Sequence, residues 1–371
     1  NMKKIISNLV YFLALTLVVT FFTACNDKEN HIEIYKYRET IGQKIKEVTD
    51  LLETSEFGPR KGMYPEESKD ILDEAKGMLI DLLQKIKEEA IPEAEIPTRT
   101  SDTIKTVDNL IKSFKNTIRT EDVIIKAELC VNGKNGGYIN FGSHPEYSSF
   151  GENGKQKFTV DFWVKLKDLD GFFFLLSTFT DDDSKDHERK GWCVNLWNMN
   201  LRMTYGIGYN DLMEPAYGFT YKDQWVHICI VTDEEGVDGE SENGIPIMLK
   251  MYLNGEVVLK KASEHYPNKN YSSNDLPIPM VAFSGVNAAG NILQEKGANG
   301  LMKHMHIWKT AKNKEDVIQI MNNPEKISGK EEDLVCGWNF TTRAYDDSNI
   351  VDITGQYTAS LHGDYEWIEI K

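Results

Sequence analysis

The sequence predicts a chain of two folded parts, helical and then all-β: a three-helix bundle followed by an antiparallel β-sandwich of jelly-roll type. Three observations lead there. Between about 33 and 120 the apolar residues recur every three or four positions, the period of a helix with one buried face. From about 121 onward the period falls to two, with aromatic and β-branched residues set between Gly, Asn and Asp turns. At 371 residues the chain also exceeds the roughly 250–300 at which single cores stop growing.

The first 24 residues belong to neither part. Lys3 and Lys4 precede an apolar run that ends at small residues and Cys25, the layout of an export leader. The run is short for a spanning helix, so cleavage is expected rather than an uncleaved anchor. Phe22-Thr23-Ala24-Cys25 resembles the lipobox of bacterial lipoproteins, which implies that Cys25 carries a lipid and ties the chain to the outer membrane. Residues 25–32 form a polar tether, in which Asn26-Asp27-Lys28-Glu29 is similar to the tethers that send lipoproteins of the Bacteroides group to the cell surface. With 58 acidic against 42 basic residues, a net charge of −16, the chain lacks the cationic field that holds phosphate backbones, which argues against nucleic acid as a partner.

Within 33–120, three stripes mark three helices: Ile41, Ile45, Val48 and Leu52; Leu72, Ala75, Leu79, Leu82 and Ile86; Ile104, Val107, Ile111, Phe114 and Ile118. Breaks are expected at Gly58-Pro59 with Gly62, and at Pro92 and Pro97. Pro65 suits the first turn of the second helix, Glu66 and Glu67 its positive end, and Ser101 or Asp102 the cap of the third. This spacing, with TSEFGPRKGMYPEESKDIL leading into the second helix, resembles the FIVAR-type helical modules of bacterial surface proteins. The resemblance implies a spacer, with sugar binding as the other role.

Over 121–371 the candidate strands are GGYINFG, KFTVDFWVKL, GFFFLLSTF, GWCVNLW, LRMTYGIGY, WVHICIVTD, IMLKMYLNGEVVLK and GLMKHMHIWK. A late helical patch, Lys314 to Met321, has Val317, Ile320 and Met321 to pack, and Asn254-Gly255 is a two-residue hairpin turn. Both faces of WVHICIVTD are apolar, so His227 is expected as a packed core ring whose nitrogens meet partners, since an unpaired buried polar group costs roughly 1–3 kcal/mol. Cys130, Cys193, Cys229 and Cys336 sit in apolar runs and read as small buried hydrophobes in preference to disulfides.

Five pieces in order carry a wider resemblance: AELCVNGKNGGYINFG, FTVDFWVKL, WVHICIVTD with KMYLNGEVV, GLMKHMHIWKTAKNKEDVIQIM, and LVCGWNFTTRAYDDSNIVDITGQYTASLHG. Together they resemble a laminin G-like, concanavalin A-like domain, which implies the sandwich fold and makes Trp-x-His a packing signature. That fold also hosts glycoside hydrolases, whose retaining members need two carboxyl groups about 5–5.5 Å apart. The family form Glu-x-Asp-x-x-Glu does not occur, and Asp161 and Glu331-Glu332-Asp333 lack a second acid at that spacing, so no enzyme is expected. Many such domains bind calcium at the rim, for which the oxygen-rich candidates are Asp181, Asp183, Asp346 and Asp347, with Asp352 beyond. The positions of GLMKHMHIW where the family often carries an Asp-Glu pair hold Lys303 and His304, and His304 with His306 reads as a surface pair.

Sugar binding needs an aromatic plate and planar polar groups. In GWCVNLWNMNLRMTYGIGYN, with a turn at Met199-Asn200, alternation sets Asn195, Trp197, Arg202 and Thr204 to line one patch. The expected function is a lipid-anchored, non-catalytic surface protein that binds glycan through the sandwich. An adhesin or structural protein binding another protein is the alternative, and a glycoside hydrolase the third.

Overall fold

The computed structural model describes residues 30–370 apart from 153, 181–188, 208–210, 265–270, 272 and 345–347. The expected lipidation site, Cys25, and the four calcium candidates Asp181, Asp183, Asp346 and Asp347 therefore lie outside the described residues. The chain divides into two compact units, one up to Val123 and one from Ile124.

In the first unit, helix α1 (Asn30–Thr54), helix α2 (Lys69–Lys87) and helix α3 (Ile96–Lys115) pack around one core. The stripes form that core: Ile41, Val48, Leu72, Ala75, Leu79, Val107 and Phe114 are fully buried. Two corrections apply to helix starts. Pro65 caps a 3₁₀ turn over Glu66–Ser68 ahead of α2. Helix α3 begins at Ile96, so Ser101 and Asp102 are interior residues, and Pro97, expected as a break, occupies the first turn, where its missing N–H is no loss. Ile118, assigned to the third stripe, lies past the end of α3 and is exposed. Among the described residues no helix is long and apolar enough to cross a membrane.

The second unit is an antiparallel sandwich, as the period of two predicts. Its first sheet is built on β1 (Ile124–Asn132), β3 (Lys157–Leu166), β9 (Val226–Asp233), β11 (Ile245–Leu253) and β14 (Asn299–Trp308), in the order β11-β9-β3-β14-β1. Strand β12 (Glu256–Ala262) joins it beside β11, β15 (Leu334–Asn339) beside β14, and β16 (Thr342–Ala344) and β19 (Tyr365–Glu369) beside β1. The second sheet contains β2 (Tyr138–Asn140), β4 (Phe172–Ser177), β5 (Trp192–Trp197), β6 (Asn200–Gly206), β8 (Ala216–Gly218) and β13 (Val281–Ala282), in the order β2-β13-β4-β5-β6-β8 through its centre.

One core fills the space between the sheets. Phe158, Val160 and Phe162 of β3, Ile228 and Ile230 of β9 and Met302 and Ile307 of β14 meet Leu176, Val194, Leu196, Leu201 and Met203 from the opposite sheet. Each such side chain stabilises the fold by about 1.5–3 kcal/mol through burial alone. Asn254 (φ +49°) and Gly255 (φ +81°) make the β11–β12 hairpin turn, as expected.

Helix α4 (Lys314–Asn322), capped by the Asn313 side chain on the Asp316 N–H at 2.9 Å, crosses the outer face of the first sheet. Val317 packs on Cys229, Val231 and Tyr252, and Ile320 on Trp308 and Leu334. Cys130, Cys193, Cys229 and Cys336 are all buried, and none is in a disulfide.

Candidate functional site

The second sheet turns its outer face to a patch on the β5–β6 hairpin. The turn residues are Asn198 (φ +46°) and Met199 (φ +62°), one place earlier than expected, so Trp197 faces Asn200 across the turn and Asn195 faces Arg202. Register then lays two rows across four strands: Phe172, Trp197, Asn200 and Gly218; and Phe174, Asn195, Arg202 and Ala216. Ala216 and Gly218 are exposed and carry almost no side chain, so the β8 end of the patch is a flat shelf.

The structure brings all four predicted residues together. Trp197 alone is open, at 51 % exposure, whereas Asn195, Arg202 and Thr204 are buried. A closed ring of polar contacts explains why. Arg202 Nε donates to Asn195 Oδ1 at 2.9 Å, the Asn195 amide donates to Thr204 Oγ1 at 2.8 Å, and the Thr204 hydroxyl donates to Glu214 Oε1 at 3.2 Å. Glu214 Oε1 lies 3.4 Å from Arg202 Nη1 and closes the ring. The guanidinium is thereby held over the indole, 4.6 Å from the Trp197 ring centroid and 5.4 Å from that of Phe172. Asn195 and Thr204 thus fix the arginine, and the arginine fixes the plate.

Sequence reasoning missed Phe172, Asn200 and Glu214. Phe172 shares a face with Phe174, which period-two alternation shows. Asn200 is exposed next to Trp197; its amide donates to the Asn198 carbonyl at 2.9 Å, and its Oδ1 makes no hydrogen bond among the described residues. Glu214 gave no signal, because its contact arises only where the chain returns to β6.

On the first sheet, His227 does sit on the face predicted, and it has a side-chain partner: its Nε2 lies 3.4 Å from Asp161 Oδ1. Its Nδ1, however, is buried without a hydrogen-bond partner, contrary to the expectation that both nitrogens are met. Asp161 also receives His306 Nδ1 at 2.9 Å on the same oxygen and Trp308 Nε1 at 2.8 Å on the other. Burial pushes the Asp161 carboxyl up, but His306 and His227 outweigh it and hold the group well below the usual carboxylate range. His304 and His306 are both buried, which corrects their reading as a surface pair: α4 and the segment after it cover that face.

The remaining acids have structural employment. Glu331 accepts the backbone N–H groups of Ser328 and Gly329, and Asp333 accepts Lys312 at 2.6 Å. Asp352, named with the calcium candidates, is buried and accepts the N–H groups of Gln356 and Tyr357 at 2.9 and 3.0 Å, so it holds its own turn. Among the described residues no group of three or more His, Cys, Asp or Glu is placed to hold a metal ion.

The model of the concanavalin A-like lectin/glucanases superfamily, in its laminin G form, matches residues 132–318, half of the chain. The chain belongs to the concanavalin A-like lectin/glucanase superfamily. A second model, a domain of unknown function (DUF4972), matches residues 36–118 and so coincides with the three helices of this superfamily member. None of the curated proteins matches it. Solved structures similar to the chain include a proposed carbohydrate-binding protein from Bacteroides ovatus, at 12 % identity and a TM-score of 0.45, with 68 % of this chain and 62 % of that one covered. A pentraxin from Limulus polyphemus is similar at 8 % identity and a TM-score of 0.40, covering 66 % and 95 %. The binding domain of botulinum neurotoxin serotype C1 is similar at 11 % identity and 0.33, covering 45 % and 36 %.

Proposed function

We propose that this chain is a lipid-anchored, exported protein whose sandwich recognises glycan without catalysis, through the Trp197 patch. The observation that carries the reading is an indole half open to solvent whose orientation is fixed from behind by a buried arginine. The apolar face of a pyranose packs on such a plate, and an exposed amide beside it accepts a hydroxyl. Trp197 is the plate and Asn200 Oδ1 the acceptor. Ala216 and Gly218 leave the β8 side open for the rest of a glycan chain. Membership of a superfamily that includes lectins supports the same reading, as does the structural use already made of Asp161, Glu331 and Asp333. The leader-like run over residues 1–24, followed by Cys25, supports an outer-membrane location, and the helical unit serves as a spacer.

The test is a glycan array on the full chain, run with calcium and with chelator. Saturable binding to one glycan class, reduced in Trp197→Ala while thermal unfolding is unchanged, supports the reading, and loss in chelator brings in the Asp181 and Asp346 loops as a calcium site. A second reading has its own observation: Met199, in the turn that follows Trp197, is also exposed, and neighbouring open apolar side chains suit a protein partner. Silence across the array from folded chain favours that partner.

A further inference from the structure

A second concavity lies on the opposite sheet. Strand β14 bulges between Met302 and Met305, which face Val164 and Phe162 of β3 and lie in the core, so the two residues between them, Lys303 and His304, come to line the same outer cleft. There β1, paired to β14 from Leu129 onward, pairs instead with β16 over Ile124, Ile125 and Lys126. A cleft of about 310 Å³ opens at the parting, at the lower end of the range for ligand sites. Trp163, Met321, Pro324 and Ile370 give it apolar walls.

Two of its polar side chains, Lys303 and His304, have no hydrogen-bond or ion-pair partner among the described residues. His304 is 7 % exposed and lines the cleft, and its imidazole makes no hydrogen bond among the described residues. Half-buried Lys303 has no carboxylate within ion-pair distance among the described residues; its ammonium rests 4.1 Å from the Trp225 ring centroid. Glu128, also in the lining, is taken by Lys165 at 3.6 Å, and Lys165 lies over the same Trp225 ring at 5.0 Å. Of the two charged residues in the lining, Glu128 is thus engaged by Lys165, and the Lys303 ammonium is left without an ion-pair partner among the described residues.

We infer that this cleft binds a small monocarboxylate carried on a six-membered ring, the ring against Trp163 and the carboxylate on Lys303 with His304 beside it. Burial, the largest influence on the Lys303 ammonium, pushes it below its usual range against the weaker pull of Glu128, and a bound anion adds a countercharge in direct contact. The ring has two sources, an acidic sugar such as a uronic acid or an aromatic acid, and both fit the same chemistry. The inference does not rest on the Trp197 patch.

The experiment is a ¹H–¹⁵N titration of the full chain with glucuronate and with benzoate, each beside its neutral counterpart, glucose and benzyl alcohol. The expected result is a saturable shift of the Trp163 indole N–H by at least one acid, at least fivefold tighter than its neutral counterpart. Lys303→Met removes that preference and Lys303→Arg keeps it. Response to glucuronate alone assigns an acidic sugar, and response to benzoate an aromatic acid. No saturable shift from either acid, acid and neutral bound alike, or a preference that survives Lys303→Met overturns the inference.

Discussion

Met199 holds a left-handed backbone, φ +62°, that glycine adopts freely and a side chain with a Cβ resists by about 1 kcal/mol. An exposed methionine in that position, beside Trp197, fits a contact surface more readily than a stability role. Met199→Gly is expected to stabilise the chain by about 0.5–1 kcal/mol and to weaken ligand binding; a lower melting temperature would show that the side chain contributes packing instead. His304 gives a second prediction. Burial, then His306, push its imidazole down from 6.5 to about 4. The unfolded chain takes up the proton first, so this contribution is complete above about pH 6.5 and is lost as the pH falls toward 4. The gap amounts to about 3 kcal/mol at most. Denaturant unfolding at pH 7 and 4.5 is expected to show a larger loss for the natural chain than for His304→Gln, and parallel losses would contradict it. At this scale the sequence was partly legible: the four patch residues share a face because alternation and the hairpin dictate it. That three of them spend their polar groups on one another was not, since it depends on Glu214 arriving from a later loop.

Among elements, β3, β9 and β14 are tied at one point on their outer face. Asp161 gathers two imidazoles and an indole N–H from its neighbours, leaving both carboxylate oxygens engaged in a site sealed from water. Asp161→Asn is expected to cost about 3 kcal/mol, because His306 or Trp308 then meets a donor where it had an acceptor. A chemical-denaturation midpoint within error of the natural chain would remove this role. Helix α4 was readable in KNKEDVIQIM from its apolar spacing, and so were the long central strands. The bulge in β14 was not readable, because a register shift lives in the pairing of β14 with β3 and leaves no mark in the composition of either strand. It is what brings His304, read as half of a surface pair, beside Lys303 in the wall of a cleft. The start of α3 was misplaced for a related reason, since a proline reads as a break until the first turn is known to contain it.

For the whole molecule, two cores explain the change of period near residue 121, one from helical stripes and one from the inner faces of two sheets. Burial pushes the Cys229 and Cys336 thiols well above their ordinary range, and none of the four described cysteines is bridged. Thiol titration is expected to find these four slow in native chain and reactive after unfolding without reductant; fewer than four would reveal a bridge. The central claim is that the sandwich meets glycan on Trp197, and calorimetric titration of the full chain against the strongest glycan on the array tests it most directly. The account predicts that Trp197→Ala, with an unchanged melting temperature, binds at least tenfold more weakly, about 1.4 kcal/mol. Equal affinity for the natural chain and the variant would place the glycan elsewhere and contradict it.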